Sequence, residues 1–191
     1  MAYSLRDLGW LLRRLEEEGV RGVVIGSTVV DLALGRKSFE DDVDIFALEP
    51  SPLIEEDTYR GIAERNGWEM SYTALGTPKL VARVPSGEEV VVEVYENVFD
   101  FYIPQGMLED TVSEKLPGGA EARLLRPEYY AVLKAKAARA PDIEDLRILR
   151  EYVEEGKLRL DEERIRKGLE MLPEEDRKLA VDKLRELGFR V

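Results

Sequence analysis

Asp42 and Asp44 are separated by one apolar residue in Asp42-Val43-Asp44-Ile45-Phe46-Ala47-Leu48, a run whose composition predicts a β-strand over 42–48. Side chains alternate across a strand, so both carboxylates share one face while Val43 and Ile45 point to the core. Asp41 offers a competing register, but only Asp42 and Asp44 obey the alternation. Two neighbouring acids repel unless a cation lies between them. One or two Mg²⁺ ions would relieve that repulsion and organise a triphosphate. The plainer alternative is the solvent-facing edge of an acidic strand. Upstream, Val23-Val24-Ile25-Gly26-Ser27-Thr28 predicts a strand, a sharp turn and a helix start. Glycine lets backbone approach a ligand closely, and Ser27 either caps the helix or donates to a phosphate. Here the plainer alternative is a tight turn with a serine cap.

Composition narrows the chemistry. The 191 residues contain no cysteine and no histidine, which excludes disulfides, thiol nucleophiles, imidazole bases and zinc-finger sites. A metal must therefore be held by oxygen, favouring Mg²⁺ or Mn²⁺. The net charge of -12 is uneven: residues 1–110 hold 10 Lys+Arg against 22 Asp+Glu, and residues 111–191 hold 18 against 18. An acidic surface repels phosphate backbones, so tight non-specific nucleic-acid binding is not expected, although a nucleotide carried in with its metal is. No apolar run approaches the ~18 residues of a membrane span. The N-terminal residues lack a signal-peptide pattern, so a cytoplasmic protein is the expectation. The 36% charged residues and absent cysteine point towards a thermophilic source.

The elements that must position these groups follow from periodicity. Leu5, Leu8, Leu11, Leu12 and Leu15 predict a helix over 4–18, with Ser4 as cap and Gly19 as stop. A strand at 20–25, a helix at 27–34, a polar loop at 36–41 and the acidic strand at 42–48 come next, ended by Pro50 and Pro52. A helix at 55–66 precedes strands near 68–75, 79–84 and 89–95, the last two joined by the hairpin signal Pro85-Ser86-Gly87-Glu88. Pro104, Pro117 and Gly118-Gly119 mark 104–120 as a boundary, giving expected domains 1–115 and 116–191. Helices are predicted near 128–140, 142–155 and through 161–187, with Pro127 in a first turn.

Ile25-Gly26-Ser27, followed fifteen residues after Ser27 by Asp42-Val43-Asp44-Ile45, resembles the motif of the DNA polymerase β nucleotidyltransferase superfamily. The resemblance implies a mixed-sheet α/β (α+β) nucleotidyltransferase fold with a C-terminal helical domain. It also implies transfer of a nucleoside monophosphate from an NTP to an acceptor, with release of pyrophosphate. Asp42 and Asp44 would hold the metals, and Gly26 and Ser27 would seat the β- and γ-phosphates. A third carboxylate is needed from a nearby strand. Glu93, inside Val90-Val91-Val92-Glu93-Val94-Tyr95, fits best, with Glu96 and Asp100 as the other choices. Glu93 would bind the metal that activates the acceptor and take its proton.

Leu133-Lys134, Arg139, Asp142 and Asp145-Leu146 resemble the helical part of a prokaryotic branch related to abortive-infection and toxin–antitoxin enzymes. There Lys134 either reaches the triphosphate or braces the two aspartates. The acceptor is left open between a tRNA end, a protein and a small molecule. Two other classes share parts of the pattern. A glycosyltransferase uses Asp-x-Asp after a full nucleotide-binding half-domain, whereas here the pair appears by residue 44. A nucleotidyltransferase fold without turnover would act as a regulatory or antitoxin-like partner.

Overall fold

The computed structural model describes residues 2–191. They form a mixed α/β structure of two compact units, one of residues 2–102 with Thr111–Leu124 and the other of Ile103–Asp110 with Leu125–Val191. The single boundary expected at 115/116 falls inside a hairpin of the first unit.

The first unit opens with β1 (Tyr3–Ser4) and α1 (Leu5–Glu17). Leu8, Leu11 and Leu15 of α1 are buried on one stripe, as their spacing requires. Ser4 and Asp7 form a capping box, the Asp7 N–H donating to Ser4 Oγ (3.1 Å) and the Ser4 N–H to Asp7 Oδ2 (3.0 Å). Next come β2 (Arg21–Ile25), α2 (Ser27–Ala33), β3 (Ser38–Phe39), β4 (Val43–Glu49) and α3 (Glu56–Asn66). The hairpin strands β6 (Pro78–Arg83) and β7 (Glu89–Tyr95) follow β5 (Glu69–Tyr72). Finally β8 (Val112–Lys115) and β9 (Glu121–Leu124) complete the unit.

Seven strands make one sheet in the order β5-β6-β7-β4-β2-β9-β8. The pairs β4/β7 and β2/β9 are parallel and the rest antiparallel. Alternation is clean in the hairpin: Leu80, Ala82, Val90, Val92 and Val94 are buried, while Lys79, Val81, Val91, Glu93 and Tyr95 lie half-buried on the opposite face.

Two local expectations need correction. The stretch 36–41, read as a polar loop, contains β3, which pairs with β1 and stacks Phe39 on Tyr3 at 5.6 Å between ring centroids. Two-residue strands have no period to read, so one aromatic anchor decides this segment. The stretch 104–120, read as a boundary, holds a short helix and β8, with Pro117 and Gly118-Gly119 forming the β8–β9 turn. Turn residues that look like a linker in sequence are here the tip of a hairpin.

The second unit is helical: α4 (Gln105–Glu109), α5 (Pro127–Ala137), α6 (Ala140–Glu154), α7 (Glu162–Glu170) and α8 (Glu174–Glu186). Pro127 opens α5 as expected. The α5 helix packs against α6, α7 and α8, burying Tyr129, Val132, Leu146, Leu149, Ile165 and Leu184. Asp110 ties α4 to α5 and α7. Its carboxylate accepts from Arg126 Nε (2.9 Å), Arg164 Nη1 (2.7 Å), Lys167 Nζ (3.1 Å) and the Tyr129 hydroxyl. Burial alone would raise the Asp110 carboxyl, but hydrogen bonds from Tyr129, Lys167 and Arg126 outweigh it and hold it well below the carboxylate range.

Asp110→Asn is therefore expected to lose about 1–3 kcal/mol of stability at neutral pH, since charge-assisted hydrogen bonds are removed. A depressed folded-state value stabilises fully above the unfolded carboxylate pKa of about 3.9 and ceases to do so as pH falls through the folded value. The melting-temperature gap between wild type and Asp110→Asn should thus be widest at neutral pH and close progressively in acid. A gap that stays constant through the acid range would show that the Asp110 charge is not what stabilises.

Candidate active site

Asp44 sits on β4 between two strands, paired with Ile25 of β2 on one side and with Glu93 of β7 on the other. The turn after Ile25 therefore arrives beside the acid. Gly26 has φ +71° and ψ -163°, a backbone region essentially restricted to glycine. A Cβ added there would lie 2.1 Å from Asp44 Oδ2, so the missing side chain is also the space the carboxylate occupies. Ser27 is the first residue of α2 and caps nothing. Its hydroxyl donates to Asp41 Oδ2 at 3.0 Å, while the Asp41 main-chain oxygen accepts from the Tyr3 hydroxyl at 3.0 Å. The extra acid of the Asp41-Asp42 pair is thereby turned towards Ser27.

Asp42 lies just ahead of β4, partly exposed, with Oδ2 3.7 Å from Lys79 Nζ. The same ammonium donates to Glu93 Oε1 at 2.8 Å, and the Tyr95 hydroxyl donates to Glu93 Oε2. Partial desolvation raises the Asp42 carboxyl above its ordinary value, with Lys79 offsetting this in part and Glu93 and Asp41 adding to it. Burial also pushes Glu93 up, but the hydrogen bonds from Lys79 and Tyr95 prevail and hold it below the ordinary value. Of the three acids weighed for the third position, Glu93 is the one beside Asp44. Glu96 accepts from Ser51 Oγ (2.8 Å) and the Leu53 N–H (2.9 Å) in the segment after β4. Asp100 lies in the turn closed by the Val98–Phe101 bridge. Among the described residues, no three carboxylates converge as a finished metal-binding group.

Lys134 stands in the helical unit with its Nζ 3.1 Å from Asp142 Oδ1 and 2.7 Å from Asp145 Oδ2. Asp142 is 1% exposed and also accepts from the Arg139 main chain and guanidinium, so these residues form a brace between α5 and α6. The first unit also has a cavity of about 220 Å³, lined by Leu12, Leu15, Val20, Val24 and Ile45. Ile45 points to the sheet face opposite Asp44, so this cavity does not belong to the carboxylate set.

Sequence reasoning missed Lys79. Its signal was present in the hairpin: counting outward from Arg83 opposite Glu89 in steps of two brings Lys79 opposite Glu93.

A protein-family model described as "Nucleotidyl transferase of unknown function (DUF2204)" matches residues 4–186. The chain belongs to this family. This nucleotidyltransferase also shares its fold with the crystal structure of an antigenic nucleotidyltransferase-like protein from Paracoccidioides brasiliensis. That similarity has a TM-score of 0.57 at 15% identity, covering 97% of this chain and 90% of that one. The solution structure of the antibiotic-resistance factor ANT(2'')-Ia aligns with a TM-score of 0.46 at 15% identity, over 95% of this chain and 91% of that one. Among functionally curated proteins, none matches the sequence. No helix among the described residues is long and apolar enough to cross a membrane.

The Gly26 geometry sets an expectation for this nucleotidyltransferase. Gly26→Ala should cost about 1–3 kcal/mol for the forbidden backbone alone, and more for the collision with Asp44. Gly19 provides the control, since it has φ +90° with nothing within 4 Å of an added Cβ. Denaturant unfolding of Gly19→Ala and Gly26→Ala should show the larger loss in Gly26→Ala. Equal losses would mean that Asp44 does not need the space.

Proposed function

We propose that this nucleotidyltransferase moves a nucleoside monophosphate from an NTP to an acceptor hydroxyl or phosphate, releasing pyrophosphate. The reaction takes place on the sheet face of Asp42, Asp44 and Glu93. The observation that carries this is the register that sets Asp44 between the Gly26 turn and Glu93. The donor atoms available are carboxylate oxygens, which suit Mg²⁺ or Mn²⁺. Asp42 and Asp44 would hold such an ion, and when bound it supplies neutralisation of the triphosphate charge. Gly26 and Ser27 seat the outer phosphates, with the Ser27 hydroxyl exchanging Asp41 for a phosphate oxygen. Glu93 is the third carboxylate of the set. The catalytic contribution of the chain is then positioning and charge, which suits a site without histidine or cysteine. The partners are an NTP and an acceptor drawn from tRNA ends, protein hydroxyls or small molecules, and a cytoplasmic setting suits all three.

Two measurements test this. NTP with Mg²⁺ should raise the melting temperature, by the equivalent of about 2.7 kcal/mol at a hundredfold excess over Kd, and neither Asp42→Asn nor Asp44→Asn should respond. With each labelled NTP, Mg²⁺ or Mn²⁺ and a cell extract, label should pass to an acceptor with stoichiometric pyrophosphate. An unchanged shift in both variants would move the metal elsewhere, and binding without pyrophosphate release would make the chain a nucleotide-binding regulator.

The sequence leaves Lys134 two roles, at the triphosphate or as a brace for the aspartates. The contacts to Asp142 and Asp145 favour the brace. Lys134→Ala is therefore expected to lower the melting temperature, since Asp142 loses a buried partner at a cost on the order of 1–3 kcal/mol. The NTP-induced shift should remain. A lost shift with an unchanged melting temperature would return Lys134 to the nucleotide.

A further inference from the structure

Lys79 has no place in the motif, yet its ammonium stands among the carboxylates. The register explains how it gets there. Lys79 lies opposite Glu93, Glu93 beside Asp44 and Asp44 beside Ile25, so one row of residues crosses β6, β7, β4 and β2. Neighbouring strands lie about 4.8 Å apart, which makes the row about 14 Å long. Its β2 end runs directly into Gly26 and Ser27, and its other end is Lys79. The lysine side chain reaches back along the row. Its Nζ donates to Glu93 Oε1 at 2.8 Å on the adjacent strand. The same Nζ comes within 3.7 Å of Asp42 Oδ2 at the entry of β4, two strands from its own.

An ammonium has three N–H donors. Lys134 shows how a bracing lysine uses them, meeting Asp142 Oδ1 at 3.1 Å and Asp145 Oδ2 at 2.7 Å. The Lys79 ammonium makes one hydrogen bond among the described residues, because 3.7 Å to Asp42 is beyond hydrogen-bond range. Glu93 does not need the rest of the ammonium. Its other oxygen accepts from the Tyr95 hydroxyl, and Tyr95 is held by a stack on Phe101 with 4.9 Å between ring centroids. The Lys79 side chain is 31% exposed. It thus presents spare donors and a positive charge at the carboxylate face, anchored in place by one bond.

A phosphate oxygen fits such a group, since a compact ammonium binds it as a point charge through a charge-assisted hydrogen bond. With the outer phosphates seated at Gly26 and Ser27, the β2 end of the row is taken, and the α-phosphate extends towards Lys79. We infer that Lys79 binds the α-phosphate of the NTP, keeping one N–H on Glu93 and donating another to a phosphate oxygen. Its charge then lies on the phosphoryl group that is transferred, where it offsets the negative charge of the reacting oxygens. This rests on the transfer reaction proposed above and adds the residue that holds the transferred group.

Binding rather than turnover tests this. Mn²⁺ with each of the four α,β-methylene NTPs, Mn²⁺ with inorganic pyrophosphate, and Mn²⁺ alone are titrated into the full-length chain by calorimetry. Lys79→Met keeps the apolar stem and removes the charge. It should weaken binding of the methylene NTP by about tenfold or more, as the loss of a charge-assisted contact requires. Pyrophosphate, which has no α-phosphate, should bind both proteins alike, and Mn²⁺ alone should bind Lys79→Met no more weakly than wild type. A lysine that only balanced the acids would act in the opposite sense, its loss tightening Mn²⁺ and the nucleotide bound with it. Unchanged or tighter nucleotide binding, or an equal loss for pyrophosphate, overturns the inference and leaves the transfer reaction intact. Acetylation of wild-type lysines, mapped by mass spectrometry, decides the matter even if Lys79→Met does not fold. The methylene NTP with Mn²⁺ should protect Lys79, pyrophosphate with Mn²⁺ should not, and Lys178, 72% exposed, serves as the reference. Lys79 acetylated equally with and without nucleotide overturns the inference. No nucleotide bound by wild type overturns the transfer reaction and this inference together.

Discussion

Carboxylates crowded on one face of a sheet repel, and the first unit is arranged around that repulsion. Asp44 is flanked by β2 and β7, which brings a second acid, Glu93, directly beside it. Asp41 and Asp42 follow each other at the entry to the same strand. In water such a cluster costs little, but partial burial raises the cost because the charged forms are no longer fully solvated. Three local devices reduce it. Gly26 leaves open the space that the Asp44 carboxylate fills. Ser27 and the β1–β3 pair draw Asp41 aside. Lys79 bridges Glu93 and Asp42. Each device depends on where the backbone runs.

The helical unit handles buried acids in the opposite way. Asp110 is met by two arginines, a lysine and a tyrosine, and Asp142 by Arg139 and Lys134. In both cases positive charge equals or exceeds negative charge, and the carboxyl is held below its ordinary range. Such acids are joints between helices. On the sheet face of the first unit, by contrast, the Lys79 ammonium is divided between Glu93 and Asp42, and Asp42 is raised above its ordinary value. An acid raised by partial burial beside other carboxylates is stabilised when a cation arrives. The same residue type is thus held below its ordinary range in one unit, at Asp110 and Asp142, and raised above it in the other, at Asp42.

Much of the first unit was legible because its signals are local. Leu5 to Leu15 with Ser4 gave α1 and its cap, and the apolar run around Asp44 gave the strand, which begins at Val43 and leaves Asp42 just ahead of it. Pro85 to Glu88 gave the β6–β7 hairpin. What escaped reading depends on pairing between distant segments. The β3 strand is two residues long and exists because Phe39 meets Tyr3. The β9 strand was obscured by the Pro117-Gly118-Gly119 turn before it, and its place beside β2 is a long-range parallel pairing without a short-range signature. Lys79 fell between these cases. An isolated lysine between Pro78 and Leu80 looks like an exposed strand residue, and its partner becomes visible only when the hairpin is paired residue by residue. For Lys134 the sequence allowed two roles, and the side-chain distances to Asp142 and Asp145 separate them.

Because Lys79 and Glu93 meet only in one register, the site depends on whatever holds that register. A slip of one residue between β6 and β7 would place Lys79 opposite a residue of the other face and carry charges into the apolar layer of Leu80, Ala82, Val90, Val92 and Val94. Burial of those five side chains opposes the slip from the sheet side. The turn is secured from a second direction. Asp7, 4% exposed, accepts through Oδ1 from the Ser86 N–H at 3.2 Å while its other oxygen completes the capping box with Ser4. One aspartate therefore terminates α1 and pins the hairpin tip. Its carboxyl, which burial alone would raise, is held below the ordinary range by hydrogen bonds from Ser4 and Ser86. An acid some eighty residues upstream in sequence thus constrains the hairpin whose pairing puts an ammonium over Glu93. The N-terminal helix cap belongs, in this physical sense, to the machinery that sets the charge of the site.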